Sequence, residues 1–235
     1  MRLKQELRLA TVIYGGASLA VYMHGVIKEL HKLVRASKLL HNAHYALDDY
    51  RDADSEAVYL AILRKISDAS DLRVVIDVVT GASAGAVNGV MLAKALAQDL
   101  SLDAQTRLWL DAADIDQLAA GDAGPWSRWY LRPVDRLIPL LLPKRLRSDE
   151  ETRAKLHRLT RAPWLRAPLS GRRLTGHLLD ALASMNASRV WPDSSLIPYG
   201  QRLDFYASIT DLEGYPRPLW LGDDSEAIER EHGVL

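Results

Sequence analysis

Leu72-Arg73-Val74-Val75-Ile76-Asp77-Val78-Val79-Thr80-Gly81-Ala82-Ser83-Ala84-Gly85 decides how this chain folds. The near-continuous apolar run over 72–80 is what a parallel strand covered on both faces needs. Gly81–Gly85 is a turn of small residues, and the spacing predicts a helix over 86–99. The turn reads G-x-S-x-G between a strand and a helix, the setting of a nucleophile elbow. A serine on so sharp a turn takes a strained backbone, so its neighbours Gly81, Ala82, Ala84 and Gly85 must be small. Its hydroxyl then stands at the carboxyl end of the sheet, where open α/β folds bind ligands. The following helix aims its positive N-terminal end there too. The alternative is a glycine-rich turn in which Ser83 is an ordinary N-cap.

Working upstream, residues 7–14 (LRLATVIY) read as a buried strand entering the Gly15-Gly16 loop. Residues 18–36 then have helical spacing, with Leu19, Tyr22, Val26, Leu30 and Leu33 on one face. Residues 37–70 are more polar and read as a helical insertion, with Leu60, Leu63 and Ile66 turned inward. Downstream, 101–120 read as helical, 174–185 as a helix and 203–210 (LDFYASIT) as a third strand. The order predicts an α/β fold, a parallel sheet with helices on both faces.

Lys and Arg total 30, as do Asp and Glu, and this balance argues against a dedicated nucleic-acid binder. There is no cysteine, which excludes disulfides, thiolate metal sites and a cysteine nucleophile. Nothing points to a cofactor or a metal. The charged N-terminus shows no secretory signal, and no apolar run approaches the ~18 residues of a membrane-spanning helix. A cytoplasmic protein, peripheral at the membrane, is the expectation.

The loop Tyr14-Gly15-Gly16-Ala17-Ser18 has two chemical readings beside a plain tight turn. Its amides could cradle a nucleotide phosphate, or hold the oxyanion of a tetrahedral acyl intermediate. The sequence Gly-Gly-Ala-Ser-Leu-Ala does not match a dinucleotide fingerprint. Beside a serine elbow on another strand, the oxyanion reading is the better one.

Together the two loops resemble the patatin-like phospholipase family, in a bacterial patatin-related subgroup. Gly15 to Ala20 stand where that family has its glycine-rich oxyanion loop, and Gly25-Val26-Ile27-Lys28-Glu29-Leu30 matches the helix that follows. Thr80 to Asn88 matches its elbow, and Tyr206 to Leu212 with Gly214 looks like a later core strand. The resemblance implies a three-layer fold with a mostly parallel central sheet and helices on both faces. It implies an acyl-ester hydrolase of phospholipase A type acting on lipids, with Ser83 as nucleophile and Gly15, Gly16 and Ala17 as the oxyanion hole. It also implies a Ser–Asp dyad and no catalytic histidine, so His24, His31, His177 and His232 are read as ordinary helix-surface or partly buried imidazoles.

Two departures stand out. Leu19 and Ala20 replace a basic residue and a glycine of the family's loop. The family's Asp-Gly pair is absent, and Asp211 belongs to a strand motif of its own. The base aspartate is therefore expected outside this chain, with the C-terminal part of the domain missing and activity correspondingly low. The rival reading is a truncated, catalytically silent domain acting in lipid or protein binding.

Residues 121–173 are rich in Arg, Pro and Trp. Within them 125–147 read either as a lid or docking segment for anionic lipid or as a solvated basic connector. The partners expected are thus a lipid or phospholipid substrate and a peripheral membrane contact, with no nucleic acid.

Overall fold

The computed structural model describes residues 3–16, 19–50, 53–112, 171–220 and 226–234. The chain divides into two compact units, Met1–Ala113 with His177–Leu235, and Asp114–Gly176. Of the second, only 171–176 are described, so the lid or connector expected at 125–147 lies outside the described residues.

The first unit is built on four strands, β1 (Leu3–Ile13), β2 (Ser70–Ala82), β3 (Asp204–Trp220) and β4 (Glu226–Val234), in the order β1-β2-β3-β4. β2 runs parallel to β1 and to β3, with Val12 opposite Thr80 and Tyr206 opposite Thr80. The β1–β2 register slips between Leu9 and Ala10, whose partners are Ile76 and Val78, leaving Asp77 as the extra residue of a bulge. The bulge changes the parity of β2, so Val74, Ile76 and Val79 all enter one core although simple alternation would separate them. Arg8 donates to the Asp77 carboxylate at 3.1 Å, holding the bulge from the neighbouring strand.

The helices are α1 (Ala20–His41), α2 (Glu56–Ser67), α3 (Ala84–Gln98), α4 (Asp103–Ala112) and α5 (Gly171–Asn186), with a 3-10 turn at Leu47–Asp49. A single hydrophobic cluster joins Ile27 and Val34 of α1, Leu60 and Leu63 of α2, Met91 and Leu92 of α3 and Met185 of α5 to Ile13, Val74, Ile76 and Val79. Outward residues at the end of β1 and just beyond it stay in water, with Val12 60% and Tyr14 79% exposed.

The expected three-layer fold, with a mostly parallel sheet and helices on both faces, is corrected by this arrangement. The sheet is a curled, partly antiparallel half-barrel. β3 continues far beyond the predicted 203–210 and returns through β4 as an antiparallel pair, with Ile209 opposite Val234 and Trp220 opposite Glu226. Its irregularity between Thr210 and Tyr215 contains Gly214 at φ 71, a left-handed position that glycine takes without strain.

The inward face of α1 is also corrected. Leu19, Tyr22 and Val26 are exposed, while Ala20, Met23, His24, Ile27, His31, Val34 and Arg35 are buried. α1 packs against α2, α3, α4 and β2, and several polar residues on its buried side find partners there. Arg35 donates to Glu56 at 3.0 Å, with both side chains buried, and Lys38 and Tyr50 each donate to Asp99 at 2.8 Å. On α2, Leu60 and Leu63 face the core as expected, but Ile66 is exposed. Among the described residues no helix is long and apolar enough to cross a membrane.

Candidate active site

Parallel pairing puts the carboxyl ends of β1 and β2 at one edge, with Ile13 opposite Gly81. The two glycine loops predicted to serve one carbonyl therefore leave the sheet side by side. Their closeness is set by absent side chains. A Cβ on Gly85 would stand 2.1 Å from the Ile13 carbonyl oxygen, and one on Gly81 2.4 Å from that of Gly85. A Cβ on Gly15 would stand 2.5 Å from the Ala82 carbonyl oxygen and 2.6 Å from Ser83 Cβ. Only glycine permits this contact between the loop and the elbow.

Ser83 sits at φ 54, ψ −126, outside the ordinary regions for a residue with a side chain. It is exposed, and its hydroxyl makes no capping bond to α3. Its carbonyl instead starts the helix, accepting from Ala86 at 3.0 Å and Val87 at 3.3 Å. The geometry thus disfavours the ordinary N-cap reading, since the side chain is free of the one bond a cap makes. Ala82 and Ala84 flank it half-buried. On the other loop, Gly16 takes φ 147, and its carbonyl accepts from Leu19 at 3.1 Å. Ala17, expected to give the second oxyanion donor, lies outside the described residues.

Among the described residues no carboxylate is hydrogen-bonded to Ser83 Oγ. The Asp211 carboxylate accepts from the Glu213 amide at 3.0 Å, within its own turn. His232 is exposed, its Nδ1 2.7 Å from the Asp211 carbonyl oxygen. His31 is fully enclosed, and burial drives its pKa well below the ordinary value. His24 is buried beneath the elbow helix, and burial, with the charge of Lys28, pushes its pKa down to about 4. At neutral pH both imidazoles are uncharged. Among the described residues no cluster of three or more His, Cys, Asp or Glu could hold a metal ion. A cavity of about 310 Å³ touching Lys38, Arg73 and Leu196 lies at the amino end of β2, the opposite end from Ser83.

One residue of the site carried no role in the sequence reading. Asn88, wholly buried on α3, donates to the carbonyls of Ala20 at 3.3 Å and Ala84 at 3.2 Å. Those are the first residues of the two helices that follow the glycine loop and the serine. The available signal was a lone asparagine among Val87, Gly89, Val90 and Met91.

No protein-family model matches the chain, and no solved structure matches it. The chain is similar to an uncharacterized membrane protein of Mycobacterium tuberculosis, Rv3479, 33% identical over 116 residues. The match covers 49% of this chain and 11% of that protein's length.

Proposed function

We propose that this chain carries the nucleophile and oxyanion elements of a serine acyl hydrolase acting on lipid esters, of the patatin-like phospholipase type. The observation that carries the reading is the strained, exposed Ser83 abutted by Gly15, with its side chain making no cap bond. In this mechanism Ser83 Oγ attacks the ester carbonyl. The amides of the Gly15–Ala17 loop and the N-terminus of α3 offset the negative charge that develops on the carbonyl oxygen. The alcohol leaves, and water then releases the acyl group from Ser83. The general base is the aspartate that the resemblance implies; among the described residues no carboxylate is hydrogen-bonded to Ser83 Oγ. A relative named as a membrane protein is compatible with a substrate drawn from lipid. The rival, a silent lipid- or protein-binding domain, draws support from Ser83 Oγ having no hydrogen-bonded base among the described residues.

The test is hydrolysis of a short-chain p-nitrophenyl ester and of a phospholipid dispersion. A slow turnover that Ser83→Ala lowers to the buffer rate, with an unchanged circular dichroism spectrum, is the expected result. Turnover indifferent to that substitution removes the proposal.

A further inference from the structure

Behind the serine turn, buried His24 and Asn88 meet half-buried Thr106, bringing together polar groups from three helices. His24 Nε2 on α1 lies 3.1 Å from Thr106 Oγ1 on α4. His24 Nδ1 and Asn88 Oδ1 are both buried without a partner at ordinary hydrogen-bond distance, and the two side chains adjoin. The Asn88 amide cannot be turned round. Its nitrogen faces two carbonyls, of Ala20 and Ala84, which accept only. Its oxygen must therefore face a donor, and the neutral His24 ring has one proton to give. Thr106, with both a proton and lone pairs, can donate to Nε2. The Leu102 carbonyl also faces the ring, but Asn88 Oδ1 is the acceptor left buried without another partner, and one assignment pairs the three side chains: Thr106 Oγ–H to His24 Nε2, His24 Nδ1–H to Asn88 Oδ1, and Asn88 Nδ2–H to the two carbonyls. An unpaired buried polar atom is costly, so a chain that leaves none orphaned is selected over those that do.

We infer that His24 and Asn88 are positioning residues that clamp the first turn of α1 to the first turn of α3, and so fix the glycine loop against Ser83. Asn88 ties the helix that leaves the glycine loop to the helix that leaves the serine, and His24 holds the Asn88 amide in the orientation that makes the tie. The inference rests on the acyl-hydrolase reading for its purpose, but not for its geometry.

The experiment uses the full chain. The ¹⁵N shifts of the His24 ring at neutral pH report the tautomer, and Nδ1–H is expected. Hydrogen exchange is then followed by mass spectrometry in Asn88→Ala, His24→Leu and His24→Asn, the last of which keeps a donor where Nδ1 stands. In Asn88→Ala and His24→Leu, peptides spanning 14–22 and 82–88 exchange about tenfold faster, the factor for roughly one net hydrogen bond. Peptides from the amino half of β2 are unchanged, and His24→Asn restores most of the protection. Should His24→Leu exchange faster everywhere, it has lost the fold, and the wild-type tautomer with Asn88→Ala and His24→Asn decides. An Nε2–H tautomer, or unchanged exchange around both loops in Asn88→Ala, overturns the inference. Fluorophosphonate reactivity of Ser83 is scored separately. If the tautomer and local exchange hold while Ser83 stays unreactive, the clamp stands and the hydrolase reading falls. If Ser83 reacts but Asn88→Ala labels at the wild-type rate, the clamp has no role in positioning.

Discussion

Replacing Gly85 by alanine tests the juxtaposition on which the site depends. The added methyl would lie 2.1 Å from the Ile13 carbonyl oxygen and 2.8 Å from its carbon. Both atoms belong to β1, whose Ile13 is held in register against Gly81, so no flexible side chain can move aside. Relief requires the start of α3 to lift from the sheet. Overpacking of this kind costs about 3 kcal/mol, the upper end for an added methylene, because the obstacle is backbone. For a chain of this size that lowers the midpoint of thermal unfolding by roughly 6–12 °C. Gly25, in α1, is the matched control: a Cβ there meets nothing within 4 Å. Gly25→Ala should stabilise by up to about 1 kcal/mol, the helix-propensity difference. Thermal and urea unfolding followed by circular dichroism measure both. Equal midpoints for Gly85→Ala and the wild type would refute the close approach of elbow and first strand, and with it the shared site.

Three further outcomes follow from buried groups. His24 titrates near 4 when folded and near ~6.5 when unfolded, so the unfolded chain takes up the proton first. Its contribution is whole above about pH 6.5 and is lost as pH falls toward 4, by about 3 kcal/mol in all; His31 acts in the same direction, and His24→Gln should flatten the pH dependence of urea stability. Glu56→Ala deprives the buried Arg35 guanidinium of its 3.0 Å carboxylate but leaves Asp99 at 3.8 Å, and should cost about 3 kcal/mol, the lower end for a broken buried pair, whereas a loss below about 1 kcal/mol in urea unfolding would contradict the pairing. Gly15→Ala forces a methyl against the Ala82 backbone and Ser83 Cβ, and should lower the unfolding midpoint as Gly85→Ala does and abolish any Ser83-dependent ester hydrolysis; wild-type stability and turnover would contradict the contact.

The strand and the sharp turn at Ser83 were legible because their physics is local. Val74 to Val79 is a run that only a buried strand explains, and Gly81 and Gly85 carry their own reason to be glycine. The parallel placement of β1 beside β2 follows from two strands joined by a helical crossover, α1 and α2. Less local features escaped. The face of α1 was misassigned because its buried side carries polar residues such as His24 and Arg35, whose partners Thr106 and Glu56 lie far along the chain. The Asp77 bulge has no signature in an apolar run, since one more residue leaves the pattern unbroken. β4 was missed because EAIEREHGV is largely polar and lacks a run of β-formers, and β3 runs on past the stretch 203–210 through Gly214, Pro216 and Pro218, where that run has ended. Those two strands turn the expected parallel sheet into a curled, partly antiparallel one. In the site, Ser83 and the glycines were readable one loop at a time. Asn88 was not, because its meaning lies in two carbonyls on different helices.

The central claim is that Ser83 is a nucleophile facing an oxyanion loop, and covalent labelling tests it most directly. Incubation with an alkyl fluorophosphonate, followed by intact-mass and peptide analysis, should give one adduct, located on Ser83 and absent from Ser83→Ala. Prior denaturation should abolish it, since the reactivity belongs to the folded elbow. A folded chain that carries no adduct, or carries one equally in Ser83→Ala, would contradict the account.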